Sequence, residues 1–112
     1  MSELNQSIMN ALENLKSQNI VTLDVSALTD VMDTLIIASG TSSRHARSIA
    51  ENLVEETKKA GFRALGIEGL ETGDWVLVDF GETVVHVMQE ETRAYYELEK
   101  LWSMRPAGRA QE

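Results

Sequence analysis

Two apolar segments of equal length, Trp75 to Phe80 and Thr83 to Met88, meet at Gly81-Glu82, and no other feature restricts the fold of this chain so strongly. A short glycine-containing connection between two such runs makes a β-hairpin. A lone hairpin is not stable in water, so the rest of the chain must supply further strands and a cover for the apolar faces.

Upstream residues provide both. Leu4, Ile8, Ala11, Leu12 and Leu15 recur at helical spacing behind a capping Ser2, which predicts an amphipathic helix ending near Ser17 to Asn19. From Ile20 to Val25, Val21, Leu23 and Val25 alternate with Thr22 and Asp24, the pattern of a strand with one buried face. Asp33 to Ser39 contains the uninterrupted run Leu35-Ile36-Ile37-Ala38, which suits a strand covered on both sides. Gly40 then turns the chain. Ser42 or Ser43 can cap a second helix, with Ala46, Ile49, Ala50, Leu53, Val54 and Thr57 on one stripe and Gly61 as its terminator. Phe62 to Ile67 is expected to return as a strand, parallel through a crossover. Glu68 to Gly73 is the longest polar loop, and Gln89 to Trp102 reads as a closing helix or pair of short helices. The expected order is α-β-β-α-β-β-β-α, a single α/β (α+β) domain over 1–103 with a mixed five-stranded sheet packed by helices. Residues 104–112, with Pro106 and Gly108, lack periodicity and read as a flexible tail.

Charge is distributed unevenly. Between Glu68 and Glu99 nine carboxylates face a single basic residue, Arg93, and the remaining residues balance to neutrality, so this window carries the entire net charge of −8. Such a concentration favours a partner with a basic patch and opposes general nucleic-acid binding, so DNA and extensive direct RNA contact are not expected. No apolar run reaches the roughly 18 residues of a membrane span. The N-terminus resembles neither a secretory signal nor a transit peptide, and cysteine is absent, which suits a cytoplasmic, bacterial setting. Trp75, Tyr95, Tyr96 and Trp102 are four of the six aromatic residues and lie within 28 residues beside this acidic charge. Trp and Tyr dominate the energetics of protein interfaces.

Asp74-Trp75, Val78-Asp79, Gly81, the run Val85-His86-Val87-Met88-Gln89-Glu90-Glu91, Arg93, Tyr96, Leu98-Glu99 and Leu101-Trp102 form a spaced block that resembles the ribosomal silencing factor, or Iojap-related, family. A second block, Gly40-Thr41-Ser42-Ser43-Arg44-His45 with Ile49-Ala50, matches the same family in order and spacing. The resemblance runs from the first helix to Trp102 and leaves out the last ten residues. It implies a sheet-and-helix arrangement like a reduced nucleotidyltransferase. It also implies a non-enzymatic protein that docks on the large ribosomal subunit through its fourteenth ribosomal protein and sterically blocks joining with the small subunit when nutrients are limiting. The expected partner-binding residues are Asp74, Trp75, His86, Met88, Glu90, Arg93, Tyr96, Leu98, Glu99 and Trp102, whereas Tyr95 and Leu101 suit the core. His86, mid-strand between Val85 and Val87, points opposite to them as a satisfied or semi-exposed imidazole.

Residual catalysis finds little support. Nucleotidyltransferases need an Asp-x-Asp pair after a Gly-Ser turn and a third acid on a neighbouring strand, to hold two metal ions. Here Ser39-Gly40-Thr41-Ser42 is followed by Ser43, Arg44, His45, Ala46 and Arg47, and Asp79 alone could take the third acid's place. Gly40, Ser42, Ser43 and Arg44 could still receive an anion at a helix start. No metal and no cofactor are expected, since Walker, dinucleotide and zinc-protease patterns are absent. Ser43 and His45, two apart on a helix, do not face each other as a nucleophile pair. A divergent nucleotide-binding domain and a homodimeric interaction module are the alternatives.

Overall fold

The computed structural model describes residues 2–96. Its elements are α1 (Glu3–Asn14), β1 (Gln18–Asp24), β2 (Thr34–Gly40), α2 (Ser43–Lys59), β3 (Gly66–Glu68), β4 (Trp75–Asp79), β5 (Thr83–Gln89) and α3 (Glu90–Tyr96). They form a five-stranded mixed sheet in the order β1-β2-β5-β4-β3, the α/β architecture read from the sequence. The expectations on Leu98, Glu99, Leu101, Trp102, the tail and the side chain of Tyr96 lie outside the described residues.

Both long helices are defined by their ends. Ser2 accepts from the Asn5 amide at 3.0 Å and Ser42 from the His45 amide at 3.0 Å, so each hydroxyl satisfies a donor that the first helical turn leaves open. α2 stops in a paired arrangement: the Gly61 amide reaches Lys58 O at 3.0 Å and the Phe62 amide reaches Thr57 O at 2.8 Å, with Gly61 at φ +97. α1 ends the same way on Lys16, at φ +60, with Lys16 bonded to Glu13 O and Ser17 to Leu12 O. It therefore closes at Asn14 rather than near Ser17 to Asn19, and β1 starts earlier, at Gln18, with an irregularity before Val21.

The third strand departs from expectation. The Phe62 amide is committed to the end of α2, and pairing begins only where Leu65 N meets Asp79 O at 2.7 Å. β3 is consequently three residues long, antiparallel to β4 and at the sheet edge. The parallel pairing lies instead between β2 and β5, from Thr34↔Thr83 to Gly40↔Gln89.

α1 and α2 cover one face of the sheet, burying Ile8, Leu12, Ile49 and Leu53 against Ile36, Ala38, Val76, Val78, Val85 and Val87. Complete burial of a Leu, Ile or Val side chain contributes about 1.5–3 kcal/mol, so this layer supplies the main cohesion. β2 is buried on both faces, as its continuous apolar run predicts, and its opposite face holds a second cluster of Leu35 and Ile37 with Val25 and Met88. Val25, Leu28 and Met32, from the connection between β1 and β2, cover only part of that second face.

Candidate interaction surface

Period-two alternation places Trp75 and Leu77 of β4, His86 and Met88 of β5, and Leu35, Ile37 and Ser39 of β2 on the sheet face turned away from α1 and α2. Leu77 pairs with His86 and Trp75 with Met88, so Trp75 and His86 are diagonal neighbours on one face. The Trp75 indole Nε1 donates to His86 Nδ1 at 2.9 Å, and the rings lie 5.8 Å apart at 51°. An accepting Nδ1 fixes His86 as the neutral Nε2–H tautomer. His86 is only 8% exposed, and burial pulls its pKa from 6.5 down to about 4. Trp75 stays half-buried: its indole is oriented by the bond while part of its surface meets solvent.

A shallow hollow of about 290 Å³, lined by Glu68, Gly69, Trp75 and Leu77, adjoins this ring. Gly69 is required there. It has φ +86, and a Cβ would lie 2.0 Å from Trp75 O, so only glycine lets the 69–74 loop approach this closely. Asp74, beside Trp75, is tied to β5 through Gln89, whose Nε2 donates to Asp74 Oδ1 at 3.0 Å.

α3 is seated by Arg93. The residue is 7% exposed and its Nη1 donates to Ser39 Oγ at 2.7 Å. Because Arg93 is the inward residue, Tyr95, two positions on, faces outward and is 81% exposed. The placement of Tyr95 in the core is thereby corrected. Met88 is completely buried and Arg93 nearly so. These two and His86 were expected to meet a partner; all three instead lie beneath the surface, where they support the residues that reach it. Asp74 and Glu90 are exposed, and Glu90 accepts a hydrogen bond from Asn19.

The carboxylates do not gather on one side. Asp74, Glu71, Glu90 and Glu91 stand toward the Trp75 end of the hairpin, while Asp79 and Glu82 stand at the other end, about 14 Å along β4. Antiparallel pairing of β4 with β5 causes this split. The same geometry removes Asp79 from the third-acid position: it pairs with Val84 near the start of β2, whereas Gly40 pairs with Gln89 at the other end of the sheet. Asp79 Oδ1 instead accepts from the Gly81 amide at 2.8 Å and shapes the hairpin turn.

At the turn after β2, Gly40 has no room for a Cβ, which would lie 2.8 Å from Ala46 N. The Thr41 amide donates to His45 Nδ1 at 2.9 Å, and His45 Nε2 donates to Leu15 O at 2.7 Å. His45 thus straps α1 to the start of α2. With the His45 amide on Ser42 Oγ, two backbone donors near Gly40, Ser42, Ser43 and exposed Arg44 are already engaged. Among the described residues, no group of three or more His, Cys, Asp or Glu could hold a metal ion, and no helix is long and apolar enough to cross a membrane.

Sequence reasoning overlooked Leu77, Gly69, Ser39 and Gln89. Leu77 was legible, since alternation sets it on the face of Trp75. Nothing in sequence pairs Ser39 with Arg93, 54 residues away.

The family model described as ribosomal silencing factor during starvation matches residues 1–112. The chain is 47% identical over 96 residues to the ribosomal silencing factor RsfS of Haemophilus influenzae, covering 86% of this chain and 94% of that protein. A crystal structure of a Chromobacterium violaceum protein superposes with a TM-score of 0.89 at 41% identity, covering 92% of this chain and 88% of that one. A mouse protein called mitochondrial assembly of ribosomal large subunit protein 1 is 38% identical over 101 residues, covering 88% of this chain and 44% of its own length.

Proposed function

This chain belongs to the ribosomal silencing factor family, and from that premise we propose that it docks on the large ribosomal subunit and represses translation without catalysing a reaction. The contact is to the fourteenth ribosomal protein of that subunit, in the bacterial cytoplasm, when nutrients are limiting. The mechanism is steric: a compact domain on the intersubunit face takes the space that the small subunit needs. The mouse relative's name, which speaks of large-subunit assembly, agrees with the choice of subunit.

One observation carries this reading: Trp75, anchored through its indole N–H yet partly open to solvent, beside an apolar hollow and the exposed carboxylates Glu71, Asp74, Glu90 and Glu91. An aromatic ring held in place loses little entropy on binding, and a carboxylate rim attracts a basic protein while repelling RNA phosphate around it. Purified chain mixed separately with isolated large and small subunits and sedimented tests the proposal. It should pellet with the large subunit alone; pelleting with neither, or equally with both, would defeat it.

A further inference from the structure

β1 lies at one end of the sheet and, among the described residues, pairs with β2 alone. Val25 N bonds Asp33 O at 2.9 Å, which sets the phase: Val21 and Leu23, opposite Ile37 and Leu35, direct their backbone groups toward β2. Thr22 and Asp24 therefore direct N–H and C=O away from the sheet. β1 is seven residues long and contains no Pro, Lys or Arg; its irregularity lies before Val21, so the register from Val21 to Asp24 is unbroken, whereas the opposite edge, β3, has only three residues.

Beside this edge, on the helix side, lies a hollow of about 600 Å³ lined by Asn5, Thr22, Asp24, Ser26, Asp33 and Thr34. It carries two exposed carboxylates and no basic side chain. Asp24 is exposed, and its Oδ1 accepts from Ser26 N at 3.0 Å and Ser26 Oγ at 2.7 Å. These bonds hold its carboxyl below the usual range, so the charge persists in mild acid.

We propose that the outer edge of β1 is a second docking surface, which accepts an extended Lys/Arg-containing segment of a partner protein as a sixth strand. The free backbone groups of Thr22 and Asp24 supply the pairing, as in other strand additions. Alternate side chains of the added strand fall beside the hollow, where Asp24 and Asp33 select a basic one. A second copy of this chain fits poorly, because two-fold β1 pairing sets both acidic hollows side by side on the same face. The edge is separated from β4 by β2 and β5, so occupancy leaves the Trp75 face open.

The probe is a blocked peptide of alternating Val and Lys, about eight residues long, titrated into the full chain while amide exchange is followed by NMR. Exchange at Thr22 and Asp24 should slow about tenfold or more at saturation, and a Val/Glu peptide should not bind. Asp24→Asn with Asp33→Asn, which keeps the oxygen that Ser26 uses, should weaken binding about fivefold or more. Thr22→Pro removes an outward N–H and should abolish the protection; should that variant fail to fold, the Asn pair decides. The proposal is overturned by absence of binding at millimolar peptide, by binding without protection of these amides, or by equal affinity for the Val/Glu peptide. Protection that rises with protein concentration alone would assign the edge to a second copy and overturn it as well. Subunit pelleting is independent of every one of these outcomes.

Discussion

The indole of Trp75 donates to His86 Nδ1 across 2.9 Å, joining adjacent strands on the sheet face that the long helices leave open. One bond thereby orients the surface tryptophan and keeps the buried imidazole neutral. Protonation of Nδ1 would remove the acceptor, so the state of His86 and the position of Trp75 are coupled.

Stability should therefore depend on pH through His86. Its folded pKa, about 4, is below the ordinary 6.5, so the unfolded chain takes up the proton first. The contribution is complete above pH 6.5 and is lost as pH falls toward 4, by on the order of 2–3 kcal/mol. Urea melts of the wild type and His86→Gln at pH 7 and pH 4.5 measure it. The variant should lose clearly less stability over that interval, and parallel losses would show that His86 does not carry the effect.

Trp75→Phe keeps the ring but strands His86 Nδ1, and should cost about 1–3 kcal/mol of stability. Trp75→Ala should in addition weaken large-subunit binding about tenfold or more. Co-sedimentation beside thermal melts separates the two effects. Unchanged pelleting by the Ala variant would make Trp75 a packing residue only.

Much of this site could be anticipated from sequence, and the gaps have physical causes. The caps at Ser2 and Ser42, the doubly covered β2 and the Gly81 hairpin follow from local chemistry, and all are present. Non-local geometry was not accessible. The parallel match of β2 with β5 leaves β3 as a short antiparallel edge, because the chain after α2 spends the Phe62 amide on closing the helix. Tyr95 suited the core as an aromatic residue of the closing helix, yet the inward position on α3 belongs to Arg93, a charged residue that sequence pattern assigns to solvent. The acidic window is contiguous in sequence but divided in space, since a hairpin returns on itself.

That division makes a charge test specific. Asp74→Lys with Glu90→Lys should slow association with the large subunit and flatten its dependence on salt, whereas Glu82→Lys, at the far end of the hairpin, should change the rate little. Stopped-flow association at low and high salt reads this directly. A matching drop with Glu82→Lys would mean that overall charge, not the Trp75 rim, steers the encounter.

Gly69→Ala should destabilise the domain by about 2–4 kcal/mol, through both a left-handed backbone and a Cβ pressed on Trp75 O. The indole N–H signal of Trp75 should shift with it. A stable variant with an unmoved indole would contradict the close approach.

Arg93→Met should release α3 from β2, costing about 1.5–3 kcal/mol as Ser39 loses a charged donor. Amide exchange in α3 should accelerate more than in α2. Equal acceleration in both helices would point to global loss instead.

The central claim is steric exclusion by a domain held on the large subunit through Trp75. Light scattering of purified large and small subunits mixed with the chain in excess measures joining itself. The wild type should suppress the rise in scattering, with Trp75→Ala requiring about ten times more protein for the same effect. Full joining in the presence of saturating wild-type chain would contradict the account.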